Sequence, residues 1–76
     1  MSGVHPIPTP PDPEYFDYRA DAQAAGIGEH DLAAIVAIFE HEYPHDLMLR
    51  ELHILRACTA VRRGRVRLAD ILGKAA

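Results

Sequence analysis

A small all-α bundle is the fold class this sequence predicts, on three observations. Apolar residues recur at helical spacing in two long stretches, residues 29–43 and residues 46–63. Glycine or proline closes each candidate helix, at Gly26, Pro44, Gly64 and Gly73. The chain has 76 residues, enough for one domain. A chain this short buries only about 60% of its unfolded surface. Its central helix is therefore expected to be covered on two sides, by flanking helices or by a second copy.

Residues 1–11 hold four of the six prolines, at Pro6, Pro8, Pro10 and Pro11. Such spacing disfavours helix and ladder, so this stretch reads as a flexible, extended proline-rich arm ahead of a single helical domain, residues 12–76. Asp12-Pro13-Glu14 then carries the marks of a helix start: a capping carboxylate, proline in the first helical position and an acid in the first turn. The helix is predicted over 13–25, with Tyr15, Phe16, Tyr18, Ala22 and Ala25 on its buried face and Gly26 as the residue that ends it.

Gly28 serves as N-cap of the second helix, 29–43. Ile27 and Leu32 stand at the two positions of a hydrophobic staple. Leu32, Ile35, Val36, Phe39 and Tyr43 make its apolar face, and Pro44 disfavours helical backbone at Tyr43. The central helix, 46–63, puts Leu47, Ile54, Cys58 and Val61 on one line. Met48, Leu52 and Leu55 fall on an adjoining line. A short fourth helix is expected near 68–75, with Arg67 a poor cap.

Composition narrows the function classes. Cys58 is the only cysteine, which leaves no disulfide staple and suits a reducing cytoplasm. Among Ile54, Leu55 and Val61 it reads as a small hydrophobe. The N-terminus lacks the pattern of a secretory signal, and the longest apolar run, Leu32 to Phe39, is too short to span a bilayer. Net charge is −3, but residues 1–46 carry −8 and residues 47–76 carry +5. That asymmetry marks either an acidic-partner or nucleic-acid surface, or two halves that neutralise each other within one fold.

Three signals carry functional candidates. His41-Glu42-Tyr43-Pro44-His45 matches the H-E-x-x-H pattern of zinc metalloproteases, in which two histidines on one helix face hold the metal. Pro44 breaks that face, no third ligand follows, and His53 is expected near Ile38, away from the turn. His41 and His45 are therefore weak metal candidates. Ala22, Gly26, Ile27 and Leu32 are spaced in a way that resembles the turn of a helix-turn-helix. That resemblance implies that the following helix reads DNA, yet residues 29–43 carry four acids and no Lys or Arg. The third signal is the basic run Arg62, Arg63, Arg65 and Arg67. It is read either as an anion or nucleic-acid contact, or as Arg62 and Arg63 complementing the helix C-terminal dipole while Arg65 and Arg67 meet the acidic half.

No phosphate loop, dinucleotide fingerprint or nucleophile elbow is present, so no enzyme activity and no cofactor is expected. The function expected is a non-catalytic helical interaction or regulatory module, meeting a protein partner or a second copy of itself. Met48, Leu49, Arg62, Arg63, Arg65 and Arg67 are the partner-facing candidates. Leu49 is singled out because it falls outside the apolar arc of its own helix.

Overall fold

The computed structural model describes residues 12–73, so the proline-rich arm and the last residues of the chain lie outside the described residues. Four helices follow in order: α1 (Tyr18–Ala24), α2 (Glu29–Glu42), α3 (Leu47–Arg62) and α4 (Leu68–Ile71). No strand occurs among the described residues. The all-α class and the central place of α3 are as the apolar spacing predicts. It packs against both α1 and α2.

The first helix begins later than the sequence signals indicate. Asp12, Pro13 and Glu14 are not helical, and the N-cap is Asp17, whose carboxylate accepts from the Ala20 N–H at 3.2 Å. The reason lies on α3. The buried Glu51 carboxylate accepts from three consecutive backbone N–H groups: Glu14 at 2.9 Å, Tyr15 at 2.6 Å and Phe16 at 3.1 Å. Three donors converging on one acceptor hold residues 14–16 in a concave turn, the geometry by which backbone amides bind anions. A tertiary acceptor thus replaces local capping, and Tyr15, predicted to be buried, stands 57% exposed.

The end of α1 follows the glycine rule. Gly26 takes φ +76°, its N–H donates to the Gln23 carbonyl at 3.0 Å, and the Ile27 N–H reaches back to Ala22 at 2.9 Å. This is a Schellman ending, and buried Ile27 beside buried Ala22 supplies its apolar contact. The same pair of bonds closes α3, with Gly64 at φ +72° donating to Val61 and Arg65 donating to Ala60.

Gly28 caps α2 in extended backbone, as predicted. Pro44 ends that helix one residue early, leaving Tyr43 non-helical at φ −130°, ψ 70°. Asp46 caps α3, accepting from the Leu49 N–H at 3.0 Å. Between these two helices the Arg50 guanidinium donates to the Tyr43 and Pro44 carbonyls, each at 3.1 Å, and so satisfies acceptors exposed by the helix end. The weak cap of α4 is offset by Asp70, which accepts from the Arg67 backbone N–H at 3.4 Å.

The core lies where the three longer helices meet. Tyr18, Ala22, Ile27, Leu32, Ile35, Val36, Ile54 and Cys58 are buried, and Leu68, Ile71 and Leu72 pack on it from the α4 end. Each fully buried isoleucine contributes about 1.5–3 kcal/mol. Met48, predicted on the apolar arc of α3, is 54% exposed. Position 51 takes the centre of that arc instead, and neighbouring elements cover a narrower stripe than the sequence offers.

Glu51→Gln should lower stability by about 2–4 kcal/mol, because the neutral amide loses the charge that three N–H groups stabilise and turns an NH₂ toward the Glu14 N–H that donates to Oε2. For a domain this small that is a fall in Tm of more than about 10 °C. Glu29→Gln, at a surface pair, should cost less than about 1 kcal/mol. Thermal unfolding followed by circular dichroism checks both, and equal effects would remove Glu51 from its anchoring role.

Candidate interaction surface

A second polar tie fastens α1 to α3. The Asp21 carboxylate accepts from the Thr59 hydroxyl and lies 3.6 Å from Nε of Arg62. Arg62 thereby meets the acidic half of the chain, which the charge segregation allowed. Arg63, Arg65 and Arg67 are exposed, and among the described residues they form no salt bridge. The expectation that Arg65 and Arg67 pair with the acidic half is therefore corrected: Asp21, the acid that α1 turns toward α3, is taken by Thr59 and Arg62. Val66 stays 39% exposed while Leu68 packs on the core. Arg19 lies 3.7 Å from Asp12 and 3.1 Å from Glu29, linking the start of the described chain to α2.

The histidines separate. His41 is in the last turn of α2, His45 is in the connection beyond it, and both are exposed. No group of three His, Cys, Asp or Glu side chains among the described residues is arranged to hold a metal ion. His53 is not directed away from the turn, contrary to what its position in the helix predicts. Its ring stacks on Tyr43 at 4.9 Å and on Phe39 at 6.0 Å, which carries it toward the turn. This aromatic layer between α2 and α3 escaped the sequence reading, because i, i+4 spacing on α2 does not say which residue of α3 arrives opposite.

Glu51 also escaped it, although the signal was present. It lies on the line of Leu47, Ile54 and Cys58, and a lone carboxylate at the centre of an apolar stripe demands a partner. Above it a cleft of about 240 Å³ has a floor of Val36, Leu47 and Ile54 and acids at its rim, including Asp12, Glu14 and Glu40. That is smaller than the roughly 300–1,000 Å³ of a typical ligand site. Its one cation, Arg50, is already bonded to the Tyr43 and Pro44 carbonyls.

Burial pushes the Tyr18 phenol up, and the neighbouring Glu51 carboxylate pushes the same way. Burial likewise raises the Cys58 thiol from 9.0 to about 11, with Asp21 adding to it. Cys58 is fully enclosed and behaves as the small hydrophobe its neighbours imply.

The remaining surface of α3 is apolar in its first half. Met48 is exposed, and Leu49 and Leu52 are partly buried without packing on the core cluster. No protein-family profile matches the chain, and comparison with curated proteins and with solved structures gives no match.

Both raised groups favour their neutral forms in the fold. For Cys58 that contribution is complete below about pH 9 and is lost as pH rises toward 11, since the unfolded chain releases the thiol proton first. Stability should therefore fall by up to about 1.4 kcal/mol per pH unit across that window. Cys58→Ala should flatten the decline. Denaturant titrations at several alkaline pH values check this, and an identical slope in the variant would show that Cys58 is not responsible.

Proposed function

We propose that this chain is a non-catalytic helical interaction module of the cytoplasm, whose contact surface is the outward face of α3. One observation carries the reading: Met48, Leu49 and Leu52 are three large apolar side chains on the central helix, and none of them packs on the core cluster. Met48 is exposed and Leu49 and Leu52 are half-buried, and apolar side chains grouped in this way mark a contact surface more often than scattered single residues do. No helix among the described residues is long and apolar enough to cross a membrane. A protein partner or a second copy is the occupant this chemistry favours.

A second reading rests on a separate observation. Arg63, Arg65 and Arg67 are exposed and without salt bridges among the described residues, which suits an anionic partner such as nucleic acid. It ranks below the first because Arg62 is engaged by Asp21 and no aromatic residue is interleaved with the run.

Tagged full-length chain, with and without nuclease, should capture a protein partner from native lysate. Leu49→Asp with Leu52→Asp should abolish that capture while leaving the helical circular dichroism spectrum intact. Identical recovery by the folded variant would overturn the first reading. Recovery that disappears with nuclease, and in Arg65→Glu with Arg67→Glu, would establish the second.

A further inference from the structure

Resting on the interaction reading above, we propose that the occupant of the α3 face is a second copy of this chain. The two α3 helices would lie antiparallel, with the twofold axis beside Leu52. At 100° per residue, the contacts already described divide the surface of α3. Glu51, Ile54 and Cys58 point to the core, Thr59 and Arg62 meet α1 through Asp21, and Arg50 and His53 meet α2. The strip left between the α1 and α2 contacts carries Leu49, Leu52, Arg56 and Arg63.

That strip is polarised. Its first half is apolar and its second half is basic, with Arg56 and Arg63 exposed. Just before it, at the corner where α2 gives way to α3, Glu42 and Asp46 are exposed. A twofold interface requires a patch complementary to itself. Antiparallel docking about Leu52 supplies it, because the level of residue 58 on one copy meets Asp46 at the corner of the other, which also carries Glu42, and Arg56 and Arg63 stand on either side of that level. The basic end of each helix then runs along the acidic corner of its mate, and Leu49 and Leu52 meet at the centre. Parallel docking would set like charge against like. The opposed charges of residues 1–46 and 47–76 thus find their complement between copies as well as within one. A second copy also covers the apolar surface that a chain of this size leaves open.

Sedimentation equilibrium of the purified full chain, over about 1 µM to 1 mM, tests this. The wild type should reach dimer mass. Arg56→Glu with Arg63→Glu should raise the dissociation constant at least about tenfold, and so should Glu42→Lys with Asp46→Asn, in which asparagine keeps the cap of α3. Mixing the two variants should restore a dimer, since each then offers the charge the other lacks. Leu52→Cys should cross-link between copies under mild oxidation while buried Cys58 stays out of the reaction. All the charge changes lie on exposed side chains, so an unchanged thermal transition separates lost association from lost folding.

A wild type that is monomeric throughout overturns the proposal, as does a dimer indifferent to both charge reversals. A monomer retained on heparin through Arg56 and Arg63 would overturn it in favour of a polyanion. A monomer that still captures a lysate protein through Leu49 and Leu52 would sink self-association and leave the interaction reading standing.

Discussion

The Glu51 carboxylate is the constraint on which the rest of the structure depends. Burying a carboxylate costs several kcal/mol unless hydrogen bonds replace its water. Here three successive backbone N–H groups do so, at Glu14, Tyr15 and Phe16. The exchange is mutual, because those amides would otherwise lack an acceptor in a segment with no helix or ladder of its own. One side chain on α3 therefore decides where α1 begins, which way Tyr15 faces, and that Tyr18 rather than Tyr15 enters the core.

Around that anchor the fold is fastened by polar ties at the margins of a small apolar core. Asp21 joins α1 to Thr59 and Arg62, Arg50 closes the α2–α3 connection, and Arg19 bridges toward Glu29. With only eight apolar residues buried among those described, such ties contribute more than they would in a larger domain. They also use up α3 selectively. Its core, α1 and α2 sectors are occupied, and the sector bearing Leu49 and Leu52 is the one to which we assign the partner.

Charge is distributed by the same logic. The acidic first half and basic second half meet inside one chain at the contact of Asp21 with Arg62. Arg63, Arg65 and Arg67 are exposed and form no salt bridge among the described residues. The surplus is local and directional, which is why association, whether with a second copy or another partner, is expected to respond to salt.

The sequence by itself determined the helical class, the bodies of α2 and α3, and the residues that stop each helix. Those features follow from local rules: apolar period, the left-handed freedom of Gly26 and Gly64, the exclusion of helix before Pro44, and capping by Asp46. Of the candidate surface, Leu49 was legible because it breaks the period of its own helix. Only the tertiary structure decided the start of α1, the exposure of Tyr15 and Met48, the stacking of His53 on Tyr43 and Phe39, and the choice of Arg62 as the arginine that meets an acid. Each of these depends on which group arrives from a distant part of the chain. Asp12 and Pro13 are sound local start signals, and they yield because Glu51, far along the sequence, accepts the very N–H groups that a helix would have left without partners.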